Sequence, residues 1–182
     1  GQFNFPVLAR FALMEKLLLM KKILLADDDA AIRETLGEVL VSEQYEVIFA
    51  ATGREAEAKF TTYVPDLVLL DLNMPDGDGW SALDFICDTH FSTPVIIITA
   101  ISRQYMRAAD LGVDALMEKP LNIPLLLKEI QNYLAESETE RVHRLTRLDF
   151  KTVFLNNPVH SDCQWRSHEI NGATRWPDHG PC

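Results

Sequence analysis

The sequence is poor in cysteine, in positive charge relative to negative, and in uninterrupted apolar stretches. Its 182 residues include three cysteines, Cys87, Cys163 and Cys182. So few and widely spaced thiols argue against a disulfide framework and favour a reducing compartment. The net charge of −10 argues against nonspecific attraction to nucleic acid or to an anionic membrane. We therefore expect a cytoplasmic protein.

An apolar stretch from Val7 to Met20 precedes the regular part of the sequence. Arg10, Glu15 and Lys16 interrupt it, so it is a poor candidate for a membrane span. It also lacks the order of a signal peptide, in which charge comes first, then an apolar core, then a cleavage site. We interpret residues 1–19 as an N-terminal extension without a membrane span, with a helix at the membrane interface as the weaker alternative.

Strand-like apolar runs alternate with amphipathic helical patterns along the middle of the chain. The first, third and fourth runs are almost entirely Val, Ile and Leu, which is typical of parallel strands buried on both faces. Five strands alternating with five helices predict an α/β fold, a doubly wound parallel sheet with helices on both faces. The predicted strands are Lys22–Ala26, Tyr45–Ala50, Asp66–Leu70, Val95–Thr99 and Ala115–Met117.

The pattern changes after about residue 138. Residues 136–147 could continue the last helix as a charged, solvated stretch, whereas residues 156–182 are polar and have no apolar period. We assign residues 20–137 to one domain and residues 138–182 to a C-terminal extension or tail of uncertain order.

Carboxylates are concentrated where two of the predicted strands end. Asp27, Asp28 and Asp29 follow the first strand, and Asp71 follows the third. Because ligands bind at the carboxyl ends of parallel strands, these groups should meet at one edge. Like charges about 4 Å apart repel by roughly 4 kcal/mol at an effective dielectric of about 20. A divalent cation with oxygen ligands, held by Asp28 and Asp71 with a main-chain carbonyl near Asn73, would offset that repulsion.

A carboxylate beside such a metal can attack phosphorus and form an acyl phosphate, a role that suits Asp71. Thr99 and Lys119 end two further strands at the same edge and could bind the phosphoryl oxygens. Proline at position 120 could hold a cis bond that fixes the direction of Lys119. Simpler alternatives are a helix cap for Asp29, which we prefer, a β-branched strand residue for Thr99 and a solvated charge for Lys119.

Four motifs, in order along residues 20–136, resemble those of the receiver domain of two-component response regulators, the family of the chemotaxis response regulator. They are Leu25 to Asp29, Asp71 with Met74-Pro75 and Asp78-Gly79, Ile98-Thr99-Ala100, and Lys119-Pro120. The resemblance implies a flavodoxin-like strand order 2-1-3-4-5. It also implies Mg²⁺-dependent transfer of a phosphoryl group from a sensor histidine kinase or phosphotransfer protein to Asp71. It implies no enzymatic activity beyond the chain's own phosphorylation and dephosphorylation.

The resemblance further implies a role for each site residue. Asp28 and Asp71 would ligate the metal directly, Asp27 would support it through water, and Asn73 would contribute its main-chain carbonyl. Thr99 and Lys119 would bind the phosphoryl group.

Phosphorylation would then change the face formed by the helix between the fourth and fifth strands, the fifth strand and the helix after it. That face would meet a downstream effector, and a homodimer through it is an open alternative. One departure from the family is Leu116, which stands where an aromatic switch residue is usual.

Three alternatives remain at this point. A phosphatase of the haloacid dehalogenase type would place its nucleophile after the first strand, at Asp27. A transcriptional regulator whose tail contacts DNA is less favoured, because the tail is short for a helix-turn-helix and DNA is an unlikely partner. A zinc clip formed by His160 with Cys163 and His179 with Cys182 is less favoured than an unordered tail.

Overall fold

The computed structural model describes residues 20–75, 79–100, 111–146 and 152–155, together with two short strands at 169–170 and 173–174. Within these residues, the strands of the main sheet are β1 Lys22–Ala26, β2 Glu46–Ala50, β3 Leu67–Asp71, β4 Val95–Thr99, β5 Ala115–Glu118 and β6 Val153–Leu155. The helices are α1 Ala30–Ser42, α2 Gly53–Tyr63, α3 Gly79–Thr89, α4 Ile123–Ala135 and α5 Glu138–Leu145. Strands β7, Glu169–Ile170, and β8, Ala173–Thr174, form an antiparallel pair.

The main sheet is parallel throughout and has the order β2-β1-β3-β4-β5-β6. The doubly wound α/β fold and the order 2-1-3-4-5 are therefore confirmed. Strand β6, which adds a sixth strand beside β5, was not predicted. A run of three residues carries too little periodicity to be recognised as a strand without its partner.

Helices cover both faces of this sheet, as the nearly continuous apolar strands predict. One apolar core contains Ala56 and Phe60 of α2 with Leu83 and Ile86 of α3. The other contains Leu36 and Leu40 of α1 with Leu126 and Ile130 of α4. With both faces packed, polar groups on the strands are directed to the ends of the sheet.

Helix starts follow the capping chemistry of the sequence. The side chains of Asp29, Thr52 and Asn122 each accept a main-chain N–H from the first turn of α1, α2 and α4. The predicted cap role of Asp29 is thus confirmed. It places the other two carboxylates of the run, at positions 27 and 28, before the helix and at the strand end.

The expectation that residues 136–147 continue the last helix is wrong. Helix α4 ends at Ala135, and α5 starts afresh after Ser137. Ser137 and Glu140 form a reciprocal capping box, in which the Glu140 N–H donates to Ser137 Oγ at 3.2 Å and the Ser137 N–H donates to Glu140 Oε2 at 2.8 Å. This box stabilises a new helix start after the extended residue Glu136.

Several predictions fall outside the described residues. They are the extension at 1–19, the helix expected between the fourth and fifth strands, where residues 101–110 are not described, Asp78 of the loop after Asp71, and the His–Cys pattern of the tail. Among the helices that the structure describes, none combines the length and apolar character needed to cross a bilayer.

Candidate functional site

Three carboxylates meet at the carboxyl edge of the sheet, as predicted. Asp27 follows β1, Asp28 comes next, and Asp71 ends β3; one carboxylate oxygen from each lies within 4.8 Å of the others. Asp27 and Asp71 are buried, at 1% and 3% exposure, whereas Asp28 is exposed. The cluster therefore has a buried floor and one side open to solvent.

Lys119, directly after β5, reaches across the sheet to two of these carboxylates. Its Nζ donates to Asp27 Oδ2 at 2.8 Å and to Asp71 Oδ2 at 2.6 Å. Burial lowers the pKa of Lys119, but its hydrogen bonds and charge interactions with the two carboxylates outweigh burial and raise that pKa overall. The interpretation of Lys119 as a solvated surface charge is therefore wrong.

The local charges do not cancel. Three carboxylates contribute −3 and Lys119 contributes +1, which leaves −2. Mg²⁺ prefers oxygen ligands and would neutralise this excess. The donor set, the open side at Asp28 and the residual charge together fit a single Mg²⁺ ion.

Asp27 is held from two further directions. Its Oδ1 accepts the Asp29 N–H at 2.9 Å, and its main-chain carbonyl accepts from Arg33 Nη1 at 2.6 Å. Burial raises the pKa of Asp27 above its ordinary range, an effect that Lys119 and the Asp29 N–H partly offset. The contact of Arg33 with Asp27 was not predicted, because a single arginine on a helix carries no sequence signal that identifies its partner.

Asp71 and Thr99 are connected through Asn73. Asp71 Oδ1 accepts the Asn73 N–H at 2.9 Å, and Asn73 Nδ2 donates to Thr99 Oγ1 at 3.2 Å. The Thr99 carbonyl accepts the Lys119 N–H at 2.9 Å. The predicted residues of β3, β4 and β5 are thus joined at one edge. The side-chain bond from Asn73 to Thr99 was not predicted, and metal ligation by the Asn73 carbonyl stays a prediction.

Helix α3 begins directly against the main chain of the β3 end. A Cβ at Gly79 would lie 2.5 Å from the Cα of Leu72 and closer still to the carbonyl oxygen of Asp71. Glycine is therefore required sterically at this position. Leu72 and Met74 are buried and anchor the chain after Asp71. Gly79 packs against the main chain of Asp71 and Leu72 and so fixes the end of β3. The Asp71 carboxylate points to the cluster.

Two further details concern β5 and the residues directly after it. The Lys119–Pro120 peptide bond is cis, as the sequence suggested. Leu116, at the position where the resemblance makes an aromatic residue usual, is 1% exposed and packs in the apolar core.

Comparison with known proteins identifies the family. The sequence model of the response regulator receiver domain family matches residues 23–131. The chain belongs to this family, and the predicted membership is confirmed. This assignment favours a receiver over a haloacid dehalogenase-type phosphatase.

Individual relatives agree with the assignment. The transcriptional regulatory protein PdtaR of Mycobacterium tuberculosis is 33% identical over 139 residues, covering 75% of this chain and 65% of PdtaR. A CheY-like receiver domain protein of Methanospirillum hungatei superposes with a TM-score of 0.63 at 33% identity, covering 66% of this chain and 98% of that one. Response regulator TrrA of Thermotoga maritima, solved with Mg²⁺–BeF, superposes with a TM-score of 0.59 at 33% identity. The match covers 63% of this chain and 99% of TrrA.

The matches cover different shares of the known proteins. The two solved structures are covered almost completely, whereas the chain spans 65% of PdtaR. The family match at residues 23–131 includes strands β1 to β5 and the carboxyl edge.

Proposed function

We propose that this chain is the phosphoacceptor of a two-component phosphorelay, in which Asp71 receives a phosphoryl group in an Mg²⁺-dependent reaction. The donor would be a sensor histidine kinase or a phosphotransfer protein. The observation that carries the proposal is the bridge from Lys119 to buried Asp27 and Asp71 inside a cluster that retains a charge of −2. This arrangement provides a nucleophile, a fixed counter-charge and room for one divalent cation.

The proposed metal ligands are Asp28, Asp71 and the main-chain carbonyl of Asn73, with Asp27 acting through water. When bound, Mg²⁺ supplies positive charge to the phosphoryl oxygens and to the carboxylates. In the transfer, an oxygen of Asp71 forms a bond to phosphorus while the phosphorus–nitrogen bond of the donor histidine breaks and the imidazole leaves. Asp71 can act as nucleophile because its main chain is fixed and its buried carboxylate lies next to Asp28, on the side of the cluster that is open to solvent.

Lys119 and Thr99 would bind the transferred group. The raised pKa of Lys119 keeps its ammonium protonated, and Nζ lies 2.6 Å from an Asp71 oxygen. From this position the ammonium can donate a hydrogen bond to an oxygen of the phosphoryl group that Asp71 receives. The Thr99 hydroxyl accepts a hydrogen bond from Asn73 Nδ2 and can rotate to donate to the phosphoryl group. Both residues thus stabilise charge without forming a covalent bond.

The phosphorylated form would signal through the face that the family resemblance implies, formed by β5, α4 and the helix predicted between the fourth and fifth strands. Phosphorylation biases an equilibrium between two conformations of that face, which a downstream effector then distinguishes. With Leu116 buried at the usual aromatic position, we expect the signal to depend on Thr99 and the β5 main chain. Self-association through this face is a further outcome of the same change.

Incubation with acetyl phosphate and Mg²⁺, followed by intact-mass measurement, tests the proposal. We expect an increment of one phosphoryl group that disappears without Mg²⁺ and in Asp71→Asn. Asp84→Asn, which removes an exposed carboxylate of α3, is the matched control and should retain the increment. Labelling that survives in Asp71→Asn but is lost in Asp27→Asn would contradict the proposal and favour hydrolase chemistry.

A further inference from the structure

The chain continues past the family match with two elements that pack on the sheet. The match ends at residue 131, whereas α5 and β6 lie between residues 138 and 155. Strand β6 pairs in parallel with β5, with Val153, Phe154 and Leu155 in register with residues 115, 116 and 117. The strand that leads into Lys119 therefore has partners on both sides, β4 and β6.

A buried ionic cluster holds α5 to the amino end of β5. Asp114, immediately before β5, is 1% exposed, and both of its carboxylate oxygens pair with the Arg141 guanidinium. Arg144 Nη2 adds a bond to Asp114 Oδ1 at 2.7 Å. Asp114 Oδ2 also accepts the Val95 N–H at 2.8 Å, which ties in the start of β4. Helix α5 thereby fixes where β4 and β5 begin.

The start of β6 is attached to the same point. The Val153 N–H donates to the Asp114 carbonyl at 2.9 Å, and Thr152 Oγ1 donates to the Val113 carbonyl at 2.8 Å. The Tyr133 hydroxyl of α4 donates to the same Asp114 carbonyl at 3.1 Å. The peptide before β5 is consequently held by α4, by β6 and by the side-chain cluster.

We propose that α5 and β6 act as a positioning segment for Lys119, an inference that rests on the proposed phosphoacceptor function. Strand β5 has only four residues, so the held peptide at Asp114 is connected to Lys119 by one short, extended strand. A strand of this length spans about 13 Å and transmits a change of position or tilt directly. Fixing β5 at its amino end and along its outer edge fixes where the ammonium sits relative to Asp71.

The two halves of the site should respond differently when this segment is loosened. The carboxylates that hold the cation are carried by β1 and β3, whereas Lys119 is carried by β5 and Thr99 by the neighbouring β4. Release of β6 should therefore weaken binding of a phosphoryl group and leave Mg²⁺ affinity at the wild-type level or higher. General unfolding would weaken both.

The test compares two binding constants in full-chain variants. Val153→Pro removes the N–H that bonds Asp114, and Val153→Ala keeps it; Val153 is 43% exposed, so neither change opens the core. Arg144→Gln, which loosens the cluster from its more exposed side, is the second variant. Mg²⁺ affinity is measured alone, and affinity for beryllofluoride, a phosphoryl mimic, is measured at saturating Mg²⁺.

We expect Val153→Pro to lower beryllofluoride affinity about three- to tenfold, in the range by which residues remote from a ligand modulate binding. Arg144→Gln should act in the same direction with a smaller change, Val153→Ala should match wild type, and Mg²⁺ affinity should not fall. A parallel fall of both constants, or no change in beryllofluoride affinity in either variant, would overturn the inference. Wild-type protein that binds neither beryllofluoride nor a phosphoryl group would overturn the proposed function as well.

Discussion

Two ionic clusters lie at opposite ends of the same sheet, and they differ in charge. The carboxyl-edge cluster consists of Asp27, Asp28, Asp71 and Lys119, and its charges sum to −2. The amino-edge cluster consists of Asp114, Glu136, Arg141 and Arg144, and its two negative and two positive charges cancel. The first has excess negative charge for a cation to neutralise, whereas the charges of the second are balanced by its own residues.

Geometry reinforces this difference. In the amino-edge cluster, planar guanidinium groups match the carboxylates, and Arg144 also pairs with Glu136 at 2.8 Å while stacking 5.3 Å from the Tyr133 ring centre. In the carboxyl-edge cluster, one flexible ammonium is shared by two carboxylates, and Asp28 remains exposed. Similar residue types thus form a structural ion-pair cluster at the amino edge of the sheet and a candidate ligand site at its carboxyl edge. Charge balance and access to solvent distinguish the two.

The largest effect should come from breaking the balanced cluster. Arg141→Ala leaves Asp114 buried with only Arg144 as a charged partner, and we expect a loss of about 3 kcal/mol in the free energy of unfolding. Urea denaturation measures this loss. Lys128→Ala, an exposed site on α4, should change stability by less than about 0.5 kcal/mol. A loss for Arg141→Ala as small as that of the control would mean that Arg144 alone neutralises Asp114.

Cys87, whose thiol lies near the amino-edge cluster, should react slowly with alkylating reagents. Burial, with a contribution from the negative charge of Asp114, raises the pKa of Cys87 to about 11. In a Cys163→Ser, Cys182→Ser double variant at pH 8, iodoacetamide should modify native protein about a hundredfold more slowly than urea-unfolded protein, because less thiolate is present. The native rate should rise with pH until pH approaches the thiol pKa. Rates within tenfold of each other would show that this end of the sheet is open.

Removing one charge from the unbalanced cluster should weaken cation binding without weakening the fold. Asp28→Asn takes away an exposed carboxylate and relieves repulsion, so metal-free stability should not fall. Mg²⁺ affinity by calorimetry should drop roughly tenfold, as expected for a change within a metal's coordination environment. Asp84→Asn should leave this affinity unchanged. Wild-type Mg²⁺ affinity in Asp28→Asn would remove that residue from the proposed ligand set.

The smallest predicted change tests whether Lys119 opposes the metal. Its ammonium shares Asp27 and Asp71 with the cation. A unit charge about 4 Å from a divalent ion contributes about 2 kcal/mol in water, which salt at physiological strength screens to about 1 kcal/mol. Lys119→Met should therefore raise Mg²⁺ affinity about fivefold while abolishing beryllofluoride binding. Lys128→Met is the matched control and should alter neither constant. Weaker Mg²⁺ binding in Lys119→Met would show that the ammonium helps to assemble the metal site.

Much of the fold and of the candidate site could be predicted because each signal was local. The apolar runs of β1 and β4 gave those strands their observed bounds, and polar residues directly after such runs had to converge at one edge. Ser137 and Glu140 also carried the local signal of a new helix, although the sequence analysis did not use it. Local chemistry was therefore sufficient to bring Asp27, Asp28, Asp71, Thr99 and Lys119 to one edge, but not to predict the contacts of Arg33 and Asn73 there.

The amino-edge cluster could not be predicted because its signals are remote in sequence. Arg141 lies 27 residues from Asp114, and in a stretch rich in charge it resembled a solvated side chain. Strand β6 has three residues and becomes recognisable only beside β5. Pairings of this kind depend on the folded chain bringing distant residues together.

The bridge formed by Lys119 has a consequence for how the protein behaves before any cation arrives. Because the Lys119 ammonium already separates two of the acidic groups, the chain should fold without magnesium. The ion would then bind to a protein that is already folded and make it competent for phosphorylation. A chelator should accordingly prevent phosphorylation of the protein without unfolding it.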